Sequence, residues 1–77
     1  MKTYETKDLG LATYLYTKDY QLGNSTKDRK LTIFEFKETG DIPIADAVKD
    51  YFGSAHVGAI KYWTNLKILK NIIHEGV

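Results

Sequence analysis

The chain has 77 residues, a formal net charge of +1 and no cysteine. Its length predicts a single compact domain over residues 1–77, with little room for a deep catalytic cavity. The lack of cysteine excludes disulfides, thiolate catalysis and cysteine-based zinc sites. The near-neutral charge is not that of a globally basic nucleic-acid binder, so binding of that kind would need a local patch.

The N-terminus does not resemble a targeting segment. Residues 1–8 are polar and no apolar stretch typical of a signal peptide follows them. No apolar run approaches the roughly 18 residues of a membrane span. A cysteine-free domain of this size fits a reducing compartment, so we expect a cytoplasmic protein without a membrane partner.

The first predicted helix covers residues 7–17. Thr6 is its predicted N-cap, and Asp8 lies in the first turn, where a negative charge suits the helix dipole. Gly10 costs about 1 kcal/mol relative to alanine inside a helix, and we interpret it as a site of close packing against another element. Residues 1–5 are interpreted as an extended lead-in, with an edge strand as the alternative.

Two strands follow the first helix. Residues 20–22 are a short candidate strand, residues 23–30 are a polar turn cluster, and residues 31–37 form the clearest strand of the chain. Alternate residues of that strand share one face: Thr32, Phe34 and Phe36. The simplest pairing is a hairpin of residues 19–23 with residues 31–37. A two-stranded hairpin is marginally stable in water, so it must pack against the helices.

The last third of the chain predicts two helices. A short amphipathic helix lies between Asp41, a capping residue, and Gly53, which follows its final turn. Pro43 falls in its first turn, where a missing N–H does no harm. A connection over residues 54–56 leads to the longest helix, residues 57–74.

That longest helix has two distinct faces at 100° per residue. Its predicted core face, broadened on one side by two isoleucines, comprises Ala59, Tyr62, Leu66, Leu69 and Ile73, with Ile68 and Ile72. A second stripe combines the only tryptophan with basic residues: Trp63, Lys67, Lys70 and His74. We call these four residues the basic-aromatic stripe. The first face is sufficient for packing of the helix against a core, and the basic-aromatic stripe is not required for that packing.

The predicted class is therefore α+β. The elements follow the order α-β-β-α-α, with a small antiparallel hairpin or sheet covered by helices on one face.

Several short motifs follow one another along nearly the whole chain. They are Thr6-Lys-Asp-Leu9, Ala12, Leu15-Tyr16, Phe34-Glu-Phe36, Tyr51-Phe52, Val57 and Leu66-Lys67-X-Leu69-Lys70-X-X-Ile73. In order and spacing they resemble a family of very small bacterial and phage proteins that is catalogued as a domain of unknown function. The resemblance implies a compact intracellular domain, often carried on mobile elements. It supplies no catalytic or ligand residues.

No residue pattern predicts catalysis or cofactor binding. The serines lie in predicted turns, and the glycines are scattered singly without a phosphate-binding loop. The candidate metal ligands are His56, His74, Asp46, Asp50 and Glu75. A solvated helix face explains Asp46 and Asp50, so we predict no metal site, no cofactor and no enzymatic activity.

The sequence predicts a non-enzymatic binding module, and nucleic-acid binding through a local basic-aromatic patch is the favoured hypothesis, slightly ahead of protein binding. Lys27, Arg29 and Lys30 gather at the tip of the predicted hairpin, apart from the basic-aromatic stripe. Lysine and arginine neutralise phosphates, and an aromatic ring provides a stacking platform for bases. The alternative for Trp63 is that it closes the edge of the core while the lysines are simply solvated.

Protein binding is the second hypothesis. Six tyrosines cannot all be fully buried in so small a domain, and exposed aromatic side chains are typical of interface cores. A near-neutral chain with an aromatic surface fits a homodimer or an inhibitor docked on a host or defence protein. If the basic residues converge on one face, nucleic acid is favoured. If an aromatic patch is exposed instead, protein binding is favoured.

Overall fold

The computed structural model of the chain describes residues 3–38, 42–53 and 56–74. Its elements in chain order are β1 Thr3–Thr6, α1 Leu9–Thr17, β2 Gln21–Asp28, β3 Leu31–Lys37, α2 Ile44–Phe52 and α3 Ala59–His74. The predicted α+β class is confirmed, and the described order is β-α-β-β-α-α.

The three strands form one antiparallel sheet in the order β1-β3-β2. β3 is central because its β-branched and aromatic residues fit a pleated surface that is covered on one side. Phe34 pairs with Thr6 on one side and with Ser25 on the other. In β3 the residues that face the helices are buried, namely Thr32, Phe34 and Phe36. This confirms the predicted face and a two-layer arrangement.

The N-terminal residues form an edge strand, so the preferred interpretation of residues 1–5 as a lead-in was wrong. Residues 3–6 pair with β3 in full register, Thr3 opposite Lys37 and Thr6 opposite Phe34. Thr6 is buried as the last residue of this strand. Four residues are too few for a clear alternation signal, and only the free edge of β3 stabilises them in an extended form.

The predicted turn over residues 23–30 is mostly strand, so that prediction was also wrong. β2 continues to Asp28, with an irregularity in its pairing between Leu22 and Ser25. Asp28 is paired with Leu31, so the turn contains only Arg29 and Lys30, and Arg29 has a positive φ of 59°. The polar residues of β2 have a low intrinsic strand propensity, so the sequence alone did not indicate a strand there. Pairing with β3 stabilises the extended form.

α1 begins two residues later than predicted, and Asp8 rather than Thr6 is its N-cap. Asp8 Oδ1 accepts the Leu11 N–H at 3.2 Å, while Thr6 Oγ1 accepts the Asp8 N–H at 3.1 Å. At the other end, Asp19 takes a left-handed φ of 69°, and the Tyr20 N–H donates to the Leu15 carbonyl at 3.2 Å. This hydrogen bond satisfies one of the final helix carbonyls and turns the chain into β2.

α2 is capped from outside the helix. Pro43 is its N-cap residue, and the Ile44 N–H donates to Glu38 Oε1 at 2.8 Å. The predicted cap Asp41 lies outside the described residues. Gly53 ends the helix as its C-cap with a φ of −98°, so it does not take the left-handed conformation expected of a glycine after the last turn.

The core lies between α1 and the sheet, and α2 and α3 pack on α1. Its buried apolar residues come from four elements and a loop: Leu11, Ala12, Tyr14, Leu15, Tyr20, Phe34, Phe36, Ile44, Ala47 and Leu69. The predicted core face of α3 is confirmed for Leu69, which is fully buried, and for Tyr62 and Ile73, which pack against this cluster. Ala59 is exposed, whereas Asn65, not predicted as a core residue, is buried.

None of the helices described in the structure is long and apolar enough to cross a membrane.

Candidate functional site

Trp63 lies on the surface and does not close the edge of the core. Its side chain is 57% exposed, on the face of α3 that points away from Leu69. Burial of Leu69 against α1 fixes the rotation of the helix and thereby turns Trp63 outward. Of the two interpretations left open by the sequence, the structure supports an exposed aromatic platform.

Trp63 forms one wall of a cleft between α2 and α3. The cleft has a volume of about 410 Å³ and is lined by Tyr14, Tyr51, Val57, Ala59, Tyr62 and Trp63. We call these six residues the aromatic cleft. The buried ring of Tyr14 contributes from α1, so three helices and the segment before α3 meet here. The volume is within the range of small ligand sites, but the cleft is open to solvent.

The rings of this region pack against one another. Tyr14 and Tyr51 have centroids 5.3 Å apart with planes inclined by 47°. Tyr51 and Phe52 are 5.1 Å apart in an edge-to-face arrangement. Phe52 is 69% exposed, and Ile60 on α3 is 84% exposed. Tyr51, itself half-buried, therefore connects a buried ring to an exposed one, and apolar surface extends beyond the cleft.

Gly10 positions two of the tyrosines. The Tyr62 hydroxyl donates to the Gly10 carbonyl at 3.2 Å. A Cβ at Gly10 would stand only 2.5 Å from the Tyr51 hydroxyl oxygen, closer than real Cβ contacts allow. The prediction that Gly10 permits close packing is confirmed, and the packed group is Tyr51.

Two tyrosine hydroxyls of the cleft, those of Tyr14 and Tyr62, keep their protons at neutral pH. Burial raises the pKa of Tyr14, and the negative charge of Asp50 adds to this effect. Burial also raises the pKa of Tyr62, with further contributions from Tyr51 and Asp8. Each hydroxyl therefore acts as a neutral donor or acceptor and not as a general base.

Two lysines contact rings that line the cleft, and we call them the rim lysines. Lys67 Nζ lies over the Trp63 ring, 5.5 Å from its centroid. Lys18 Nζ lies 5.7 Å from the centroid of Tyr14 and 3.4 Å from the carbonyl oxygen of His56, the residue before Val57. These distances are those of cation–π contacts, which bring an ammonium group to two of the cleft rings.

The structure only partly brings the predicted site residues together. All four residues of the basic-aromatic stripe are exposed, and Lys67 contacts Trp63. The hairpin cations are also exposed: Lys27 near the end of β2, and Arg29 and Lys30 in the β2–β3 turn. Among the described residues, no hydrogen bond, ion pair or cation–π contact joins this turn to α3.

The hairpin turn also carries an acidic group. Asp28, next to Arg29, is 3.9 Å from Lys7 Nζ, and both side chains are more than half exposed. Exposed pairs of this kind contribute at most about 1 kcal/mol. The turn is therefore a mixed-charge surface that is tied to the start of α1.

Sequence reasoning missed most of the aromatic cleft. From the sequence, Tyr62 was assigned to the core face of the longest helix and Tyr51 to a short motif, whereas Tyr14 was recognised only as one of six tyrosines. Their meeting in one cleft was not predicted, and Lys18 was not identified. The spacing of Tyr14 and Lys18, four residues apart, was an available signal for a contact on one helix face. Within residues 3–38, 42–53 and 56–74, no three histidine, aspartate or glutamate side chains come together as ligands for a metal ion. The candidate Glu75 lies outside these ranges.

Comparison with known proteins places the chain in a family. The family described as Domain of unknown function (DUF5659) matches residues 1–75, so the chain belongs to this family. No curated protein and no solved structure matches the chain.

Proposed function

We propose that this member of the DUF5659 family is a protein-binding module that docks a partner through the aromatic cleft and the exposed apolar residues beside it. It carries out no catalysis in this proposal. The observation that carries the proposal is the exposure of Trp63 in the wall of the cleft. Two more exposed apolar residues lie next to lining residues: Phe52 packs edge-to-face on Tyr51, and Ile60 precedes Trp63 by three residues on α3.

The energetic argument concerns the large apolar groups that folding leaves in water. Covering one such side chain stabilises a complex by about 1.5–3 kcal/mol. Tryptophan and tyrosine are the residues that most often dominate binding energy, and they do so when a ring of neighbouring residues excludes water. Trp63 at the mouth of a cleft with a tyrosine floor fits this description.

The absence of a catalytic role in the proposal rests on the state of the cleft hydroxyls. The pKa of Tyr14 and of Tyr62 is raised, so neither hydroxyl is a nucleophile or base at neutral pH. The Tyr62 hydroxyl is already engaged with the Gly10 carbonyl. Such groups are suited to hydrogen bonding at an interface.

Affinity capture tests the proposal. Immobilised protein is incubated with lysate of the source organism, and retained proteins are compared with those retained by Trp63→Ala and Phe52→Ala. Leu31→Ala is the matched control, because Leu31 is 52% exposed at the hairpin end and does not line the cleft. We expect a partner that is lost with Trp63→Ala and with Phe52→Ala and is kept with the control. The same partner set for all four proteins would refute the proposal.

Light scattering tests the homodimer form of the proposal. A concentration-dependent dimer that dissociates in Trp63→Ala identifies the partner as a second copy of the chain. A monomer at high concentration excludes that form and leaves a foreign protein as the partner.

Nucleic acid is the second candidate partner, favoured by the contact of Lys67 with Trp63 on a stripe that also exposes Lys70 and His74. A ring with an adjacent cation can stack a base and contact its phosphate. Fluorescence anisotropy with single- and double-stranded DNA and RNA at low salt tests this. Micromolar binding that is lost in a Lys67→Glu/Lys70→Glu variant is the expected result. Its absence for all four probes would exclude the candidate.

The proposed setting is the cytoplasm of a bacterium, with the gene on a phage or another mobile element and a host defence protein as the partner. The cysteine-free composition supports a reducing compartment. Cell fractionation of the tagged full-length chain tests the location.

A further inference from the structure

The rim of the aromatic cleft carries a charge pattern that narrows the chemistry of the partner. Lys18 approaches from the C-terminal end of α1 and lies over Tyr14. Lys67 approaches from α3 and lies over Trp63. Each of these ammonium groups therefore lies over a ring that also lines the cleft, and Lys18 itself lines the neighbouring cavity.

These two lysines differ from Lys7 and Lys61, which form ion pairs with carboxylates. Lys7 lies 3.9 Å from Asp28, and Lys61 lies 3.5 Å from Asp19. Among the residues that the structure describes, no carboxylate oxygen lies within 4.0 Å of Lys18 or Lys67. Their ammonium groups rest on aromatic faces and on the His56 carbonyl, and these contacts leave donor capacity for an anion.

We infer that the aromatic cleft binds a peptide segment in which an aromatic or aliphatic anchor is flanked by carboxylates. The anchor would be covered by Trp63 and Tyr51, and the carboxylates would be contacted by Lys18 and Lys67. The inference rests on the proposed function, because it assigns the chemistry of the partner at the same cleft.

Two other ligand chemistries fit the site less well. A basic segment would bring like charges to both rim lysines. A nucleic acid would satisfy the lysines and the rings, but the exposed side chains of Phe52 and Ile60 beside the cleft offer no contact to a phosphate backbone. An acidic peptide with an apolar anchor uses all of these groups.

One negative charge opposes the lysines. Asp50 lines a smaller neighbouring cavity of about 150 Å³ together with Lys18 and Tyr14. Its carboxylate is exposed and lowers the positive potential near Lys18, so removing this charge should raise the affinity for an anionic ligand. Asp50→Asn should strengthen binding of an acidic peptide, whereas loss of either rim lysine should weaken it.

Selection from a linear random-peptide library displayed on phage tests the inference. The immobilised full-length chain is the target, and Trp63→Ala serves for counter-selection. We expect enriched sequences that contain aspartate or glutamate next to a tryptophan, phenylalanine or leucine. The best peptide is then synthesised with its acids intact and with each acid replaced by its amide.

The rim lysines are tested with that peptide pair. Lys18→Gln/Lys67→Gln should weaken binding of the acidic peptide roughly tenfold and leave the amide version within about twofold. Lys27→Gln/Lys30→Gln removes two exposed lysines at the β2–β3 end of the hairpin and should change neither affinity. Circular dichroism and denaturation confirm that each variant is folded.

The outcomes separate the inference from the proposed function. Enrichment of apolar peptides without acidic residues, or equal loss of affinity in both lysine double variants, overturns the inference and leaves protein binding intact. Displacement of the peptide by a single-stranded oligonucleotide that binds more tightly also overturns it. No enrichment over the Trp63→Ala target refutes both the inference and the proposed cleft.

Discussion

The side-chain amide of Asn65 donates a hydrogen bond to Thr17 Oγ1 at 3.0 Å, across the contact between α3 and α1. The Thr17 hydroxyl in turn donates to the Thr13 carbonyl at 2.7 Å. All three residues are buried. This chain of hydrogen bonds fixes the axial position of α3 on α1, and that position decides which residues of α3 reach the aromatic cleft.

Loss of the Asn65 amide should therefore destabilise the domain. We expect Asn65→Ala to lower the free energy of unfolding by about 1–2 kcal/mol, since Thr17 Oγ1 loses its donor within a packed contact. The measurement is urea denaturation followed by circular dichroism. Asn71→Ala is the matched control, because Asn71 is exposed on the same helix and should change stability by less than about 0.5 kcal/mol. Equal effects of the two substitutions would contradict the prediction.

Gly10 and Tyr51 should be energetically coupled. Alanine in place of glycine usually stabilises a helix by about 1 kcal/mol. Gly10→Ala should give no such gain, because its Cβ would lie 2.5 Å from the Tyr51 hydroxyl oxygen. In a Tyr51→Phe background the nearest remaining atoms are Asp8 Oδ1, 3.3 Å from that Cβ, and the ring carbon Cζ at 3.7 Å, so part of the gain should return. A double-mutant cycle measured by denaturation checks this, and simple additivity of the two changes would refute it.

Stability should fall at alkaline pH. Burial raises the pKa of Tyr14, Tyr20 and Tyr62 in the folded chain, so folding favours the neutral hydroxyls. This stabilising contribution is fully present below the unfolded tyrosine pKa of about 10 and is lost as the pH rises through the higher folded values. Ionisation also removes the hydrogen bonds from Tyr20 to the Ile42 carbonyl and from Tyr62 to the Gly10 carbonyl.

Tyrosinate absorbance and circular dichroism, followed together from pH 7 upward, check this. We expect part of the tyrosinate signal to appear only as the ellipticity is lost. Tyr62→Phe should reduce that late fraction. Complete titration of all six tyrosines without any loss of structure would contradict the prediction.

Trp63 should contribute to binding far more than to stability. Trp63→Ala removes a mostly exposed side chain and its contact with Lys67, so the free energy of unfolding should fall by less than about 1 kcal/mol. Leu69→Ala, six residues further along the same helix at a fully buried position, should cost about 2–5 kcal/mol. Denaturation of both variants measures the contrast, and similar losses would show that Trp63 is part of the core.

Tryptophan fluorescence provides a second check on the same point, because Trp63 is the only tryptophan. Its emission should be red-shifted and open to quenching by acrylamide in the free protein. A peptide bound in the cleft should shift the emission to the blue and protect it from the quencher.

Local sequence patterns predicted the elements with strong periodicity. β3 and the helices were identified because their alternating or helical spacing of apolar residues is a property of a single segment. β1 and most of β2 were missed for the opposite reason. β1 has only four residues and β2 is mostly polar, so neither has a clear local pattern. Both are extended because they pair with β3.

The candidate site was predicted in part for the same reason. Trp63 and Lys67 share a helix face, so their contact follows from spacing alone. The cleft needs Tyr14 from α1, Tyr51 from α2 and Tyr62 from α3, and no spacing within one helix indicates that these rings meet. The three hairpin cations were predicted to lie in one long turn. In the structure the turn contains only Arg29 and Lys30, and Lys27 belongs to β2.

The amino-acid sequence by itself determined that this is a small α+β chain, free of cysteine, whose longest helix has one apolar face and one aromatic and basic face. Only the tertiary structure decided that Trp63 is exposed and that its neighbours are tyrosines. The physical reason is the rotation of α3, which depends on burial of Leu69 and Asn65 against α1 and therefore on contacts between residues some fifty positions apart.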